Sequence, residues 1–88
     1  MITARQSRAA RALLGWTQET LADKARLSLT ALKRLESESG LDVYETTRDQ
    51  ARRALEAAGI VFLSTDKGQG VLLVDDRGSK PTPSTTAR

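Results

Sequence analysis

The residues of this sequence whose types and spacing could do chemistry lie between Gln18 and Leu35. Within that segment Leu32 and Leu35 repeat at helical spacing. Leu29, Thr30, Lys33 and Arg34 are thereby left on the other faces of the same short helix. A helix with polar and basic residues at its leading edge fits the major groove of B-form DNA, which is wide enough to admit it. The chemistry is recognition, not bond-making. The chain has no histidine and no cysteine, so zinc fingers and ribbons, thiol nucleophiles, imidazole catalysis and c-type haem attachment lack their essential atoms. The Asp, Glu, Lys and hydroxyl groups that remain form no pair suited to catalysis. The expectation is a protein that is not an enzyme, uses no cofactor and holds no metal.

Placing that helix requires specific partners. Ala22 is small where two short helices approach most closely, Leu21 and Ala25 bury the first, Leu27 plugs the turn, and Leu32 and Leu35 bury the second. The surrounding caps follow from local chemistry. Thr3 with Gln6 three residues on has capping-box spacing and opens a first helix carrying Ala10, Leu13 and Leu14 on one face. Gly15 closes it in the left-handed conformation that favours glycine. Thr17 caps the second helix and Ser28 the third. Ser37 to Gly40 is a polar break. A fourth helix is expected to begin at Asp42 or Thr46, to bury Ala51, Ala54, Leu55 and Ala58, and to be closed by Gly59.

At Ile60 the period changes. Ile60 to Leu63 and Val71 to Val74 are continuous aliphatic runs around a Gly-containing loop, which predicts a β-hairpin. Neither run alternates, so both faces require cover, and four short helices can cover only one. One solution is a dimer completed across a two-fold axis, with Ile60, Phe62, Val71 and Leu73 as its contacts. The other is a hairpin folded back on helices 1 and 4 within one subunit. The expected organisation is a domain over 1–59 holding the functional segment at 17–36, a hairpin over 60–75 and a disordered tail over 76–88.

Eighty-eight residues suffice for one small domain, and without disulfides its stability must come from packing. The overall charge is +3, unevenly spread. Residues 1–34 carry seven Lys and Arg against Glu19 and Asp23, whereas residues 35–88 carry seven against nine acidic side chains. A basic N-terminal half is the mark of a polyanion-binding surface. No secretory h-region and no run of eighteen apolar residues is present, so neither export nor membrane insertion is expected, and the default location is the cytoplasm.

The segments Arg8 to Ala22, Leu27-Ser28 and Arg34 to Glu36, with Ala25 between them, resemble the Cro/CI-type (XRE family) helix-turn-helix transcriptional regulators. Leu55 to Phe62 and the Gly-rich hairpin are similar to the C-terminal end of small bacterial members. One departure is Arg26, where the family usually has glycine. The resemblance implies a mainly α fold, a lambda-repressor-like domain of four to five helices with a C-terminal β-hairpin. It also implies a sequence-specific double-stranded DNA-binding regulator, most simply a repressor, acting as a homodimer on a palindromic operator. Leu29, Thr30, Lys33 and Arg34 then sit at base-reading positions. Arg34 or Lys33 would donate to guanine O6 and N7, Thr30 would bond a base or a phosphate, and Leu29 would lie on a thymine methyl. Thr17, Gln18 and Ser28 stand at helix starts, where phosphate contacts are made. Ser37, Ser39 and Gly40 either contact phosphate after the third helix or serve only as loop chemistry. Arg11 and Glu36 match a family salt bridge that locks the first helix to the third. Trp16 is expected to pack at the corner between helices 1 and 2, and Arg52 and Arg53 to pair with Asp49 and Glu56. The competing function is a protein-interaction module, such as an antitoxin or anti-activator, that holds a partner protein through the apolar hairpin.

Overall fold

Short polar side chains start the first three helices. Thr3, Thr17 and Ser28 each adopt extended backbone and accept a hydrogen bond from the amide three residues on, namely that of Gln6, Thr20 and Ala31. At Thr3 the Gln6 side chain returns the bond, completing a capping box. The computed structural model describes residues 2–37 and 43–74. It contains α1 (Ala4–Leu14), α2 (Gln18–Ala25), α3 (Leu29–Glu36), α4 (Glu45–Ala57), β1 (Ile60–Thr65) and β2 (Gly68–Leu73). The protein is thus mainly helical, with one antiparallel hairpin among the described residues. None of these helices is long and apolar enough to cross a membrane.

Two turns rest on left-handed backbone. Gly15 closes α1 at φ 72°, as glycine allows without penalty. Between α2 and α3, Arg26 takes φ 60° and ψ 43°, a conformation that costs a residue with a Cβ about 1–2 kcal/mol. The cost is accepted because the turn returns hydrogen bonds: the Arg26 amide donates to Asp23 and the Leu27 amide to Ala22.

The core joins Leu21, Leu32, Leu35 and Leu55 with Ala10, Ala22, Ala25 and Ala51. The alanines let helix backbones approach where larger side chains would hold them apart. Ile2, ahead of the first cap, is also fully buried, and its carbonyl accepts a hydrogen bond from Arg48 of α4 at 2.9 Å. The inner face of α1 departs from the expected one. Leu13 is exposed, and the buried positions are Gln6, Ser7 and Ala10, with Leu14 packed at the edge of the core. Two polar residues are tolerated there because each finds tertiary partners.

Helix α4 begins at Glu45 with Tyr44 as a cap that makes no side-chain bond. That lies one residue before Thr46; Asp42 falls outside the described residues. Gly59 follows at φ 106°, and a Cβ there would lie 2.9 Å from the Val74 carbonyl oxygen, so glycine is required twice over.

The hairpin pairs Ile60 with Leu73, Val61 with Leu72, Phe62 with Val71 and Leu63 with Gly70. Pairing continues to Thr65 and Gly68, so the connecting loop shrinks to Asp66 and Lys67. Strand β2 packs on α1 and β1 on α4. The side chains turned toward the helices are Ile60, Phe62, Val71 and Leu73. These four residues, expected as dimer contacts, pack against the subunit's own core, Ile60 being 2% exposed and the other three half-buried. The period of two sends Val61, Leu63, Leu72 and Val74 to the opposite face, where all four are exposed. The Gln6 side chain fixes the hairpin to α1, its amide nitrogen donating to Leu63 O at 2.9 Å and Gly70 O at 3.0 Å. Its Oε1 accepts from the Thr3 amide, so every polar atom of this buried amide is used.

Candidate nucleic-acid interface

Helix α3 is anchored by one face. Leu32, Leu35 and Glu36 are buried, and Ser28 Oγ holds the first turn through the Ala31 amide at 3.0 Å. With 3.6 residues per turn, Thr30, Lys33 and Arg34 must then face outward. All three are exposed, and Leu29 is half-buried at their edge. Among the described residues neither Lys33 nor Arg34 has an ion-pair partner. Among the described residues, two cations and a hydroxyl therefore share one projecting surface without an acidic partner, which gives that face a positive potential.

The opposite end of α3 is tied down by Glu36. Its carboxylate, whose side chain is 1% exposed, receives Arg11 Nη2 at 2.8 Å, Arg11 Nε at 3.0 Å, Ser7 Oγ at 2.5 Å and Gln18 Nε2 at 3.1 Å. A buried carboxylate is costly unless it is paired and its lone pairs are satisfied, and here three side chains from two helices do both. Arg8 Nη1 adds a bond to the Glu36 carbonyl at 2.5 Å, and Arg11 Nη1 reaches the Trp16 carbonyl at 3.2 Å. The last residue of α3 is thus fixed to α1 and to the start of α2 together. The exposed face of α3 is held in one orientation by a network centred on a buried carboxylate.

Compared with protein-family models, curated proteins and solved structures, the chain gives no match.

Thr17 and Ser28 are exposed at the starts of α2 and α3. Their hydroxyl oxygens accept the capping bonds, and Thr17 Oγ1 is also 3.0 Å from Thr20 Oγ1. Gln18 stands at the first position of α2, but its amide is turned into the protein toward Glu36. Any anion it held there would have to be met by its backbone or by its remaining amide hydrogen. Ser37 is half-buried after α3, and Ser39 and Gly40 lie outside the described residues. Arg11 is paired with Glu36, so it is not available at the surface as a free cation.

Trp16, Arg52 and Arg53 serve packing and helix bracing. Trp16 lies against the core, with Lys24 Nζ 5.4 Å from its ring centroid, a cation–π arrangement. On α4, Arg52 bonds Asp49 and Glu56, and Arg53 bonds Asp49 at 2.8 Å. These pairs brace an exposed helix face. The hydrogen bond from Arg52, with the charge of Arg53 adding to it, holds the Asp49 carboxyl below its ordinary range against the opposing effect of desolvation.

Sequence reasoning missed two contributors. Ser7 carries no sequence signal of its own, although serine at this position on α1 reaches the Glu36 carboxylate on α3. Tyr44, 84% exposed, lines a cleft with Ser28, Thr30, Arg34 and Thr47. An aromatic ring with a hydroxyl therefore flanks the basic edge of α3. No local pattern marks it, because the cleft forms only when α4 packs beside α3.

Proposed function

We propose that this protein is a sequence-specific double-stranded DNA-binding regulator of the Cro/CI-type, built as a lambda-repressor-like helix-turn-helix domain. Helix α3 enters the major groove with Thr30, Lys33 and Arg34 toward the base edges and Leu29 at the margin of the contact. The observation that carries this reading is the projecting face of α3, where those three residues are exposed and the two cations lack ion-pair partners among the described residues. The Glu36 network supports it, because a helix that reads base edges must keep a fixed orientation while its outer face stays unoccupied. The helix starts at Thr17 and Ser28 direct backbone N–H groups outward and suit phosphate oxygens on either side of the groove. One such helix spans only a few base pairs, so the regulator acts as a homodimer on a palindrome with half-sites about 34 Å apart. Repression by occupying an operator is the simplest outcome of such binding.

The deciding experiment is selection of bound duplexes from a random pool, followed by affinity measurements on the selected site over a salt series. The expected result is a palindromic consensus whose binding weakens steeply with salt as counterions are released. A pool that yields no consensus, or an affinity that does not change with salt, overturns the proposal.

A further inference from the structure

The cleft between α3 and α4, about 230 Å³ in volume, gathers polar groups that the fold does not use. Thr30 and Arg34, one turn apart on α3, line it from one side; Tyr44, which caps α4, and Thr47 in the first turn of α4 line it from the other. Among the described residues, none of these four side chains makes a hydrogen bond or ion pair, and no residue lining the cleft is acidic. Ala31 and Val43 add aliphatic surface. The neighbouring Glu45 lines a different hollow, beside Ile2 and Arg48. An aromatic ring as exposed as that of Tyr44 contributes little burial to the fold, so packing does not account for its place. We infer that the cleft binds a small organic anion, a carboxylate carried on a single aromatic ring, and that this ligand competes with DNA for Arg34. The ligand site stands on the cleft alone; the competition rests on the DNA-binding reading above.

Each part of the ligand's description follows from the lining. Arg34 is always charged, and its planar guanidinium presents paired N–H donors that match the two oxygens of a carboxylate. It is the only cation lining the cleft among the described residues, so one negative charge is met and a second is not. The hydroxyls of Thr30, Tyr44 and Thr47 stand ready to donate to the same oxygens. Ala31, Val43 and the Tyr44 ring call for an apolar body, and an aromatic one stacks offset on tyrosine. The volume lies below the roughly 300–1,000 Å³ of sites for drug-sized ligands, which limits that body to one ring. A backbone phosphodiester would satisfy Arg34 but would leave the apolar surface unused. Once paired to a carboxylate, Arg34 cannot donate to a base, so ligand and duplex exclude each other. Ligand at ten times its Kd then weakens each reading head about elevenfold by mass action.

The test uses the full chain, first without DNA. Benzoate is the probe, benzamide its uncharged counterpart of the same shape, and acetate the charge without the ring. In an NMR titration to about 10 mM, benzoate should shift the amides of Thr30, Arg34, Tyr44 and Thr47 saturably, with Kd of about 1 mM or below. Benzamide should leave them in place, and acetate should bind at least about tenfold more weakly. The benzoate shifts should vanish in Arg34→Gln and weaken in Tyr44→Ala; both sites are exposed, so the rest of the spectrum should stay that of the wild type. No saturation with benzoate, equal binding of benzamide or acetate, or unchanged binding by either variant overturns the inference. The second arm measures affinity for the selected duplex with benzoate at ten times its Kd, against sodium chloride at equal ionic strength, because salt alone weakens duplex binding. An affinity equal to that in sodium chloride overturns the competition. The two readings fail separately. Saturable benzoate binding by a protein that selects no duplex removes the DNA-binding reading alone, and a selected duplex without benzoate binding removes this inference alone.

Discussion

Arg11 and Glu36, twenty-five positions apart in sequence, meet with Arg11 Nη2 2.8 Å from Glu36 Oε1, and the Nε–Nη2 edge of the guanidinium faces the carboxylate. The pair closes the angle between α1 and α3. Around it Ser7 and Gln18 complete the carboxylate's coordination, so the ion pair is one element of a shared network.

Removing its centre should be severe. Glu36→Ala leaves Arg11, Ser7 and Gln18 without their acceptor, and breaking a buried pair from one side costs about 3–5 kcal/mol. A domain of this size has a total stability of about 4–13 kcal/mol, so the variant should lose a large part of it. Urea denaturation should show this. The double variant Arg11→Ala/Glu36→Ala should cost clearly less than the two single losses added together, as expected for residues in one network.

Arg26→Gly should be stabilising. Relief of left-handed backbone returns about 1–2 kcal/mol, and the extra freedom glycine gives the unfolded chain takes back about 0.5–1 kcal/mol. The net gain is about 0–1.5 kcal/mol, seen as a higher denaturation midpoint with an unchanged slope.

Gly59→Ala should act in the opposite direction. Its φ of 106° and the nearby Val74 carbonyl put strain of about 1–3 kcal/mol into any side chain at that position. The loss should be visible in thermal melting, accompanied by faster amide exchange at the hairpin base, where the Val74 amide bonds the Gly59 carbonyl at 2.7 Å.

Arg34→Ala should leave stability almost unchanged, because the side chain is exposed and unpaired among the described residues. Binding to the selected operator should weaken by about 1–3 kcal/mol per half-site, with relaxed preference at one base pair. Unchanged affinity would remove Arg34 from base readout.

Asp49 provides a pH test. Its pKa lies below the usual carboxylate range, chiefly through the hydrogen bond from Arg52. A carboxylate of this kind contributes its stabilisation fully above the ordinary Asp pKa and loses it as pH falls through the lowered value. NMR titration of Asp49 should show the lowered midpoint, and Arg52→Ala should return it toward the ordinary range. Because both side chains are about a third exposed and screened by solvent, the effect on stability should be small.

The parts of this fold legible in sequence are those decided by neighbours. Thr3 with Gln6, Thr17, Ser28 and Gly15 mark helix ends because a cap is satisfied within four residues. Arg52 and Arg53 announced their partners for the same reason. The hairpin was visible as two aliphatic runs, but its polarity was not. With apolar residues at every position from Ile60 to Leu63, no alternation shows which side meets the helices. The loop was read as longer than Asp66-Lys67 because backbone pairing at Ser64 and Thr65 is indifferent to polar side chains. Ile2 escaped notice because a single apolar residue before a cap has no period. The basic edge of α3 was legible from spacing alone, whereas Tyr44 beside it required the packing of α4.

The Gln6 amide, which grips carbonyls from both strands, has a consequence for reach. A hairpin fastened at one strand could pivot; one fastened at both moves only as a unit with the first helix. In a symmetric pair joined through such ribbons, the separation of the two reading heads would be a rigid dimension of the protein, like the gap of a caliper. Operators whose halves were displaced by even one base pair would then rotate one head out of its groove, and spacing would be selected as strictly as sequence.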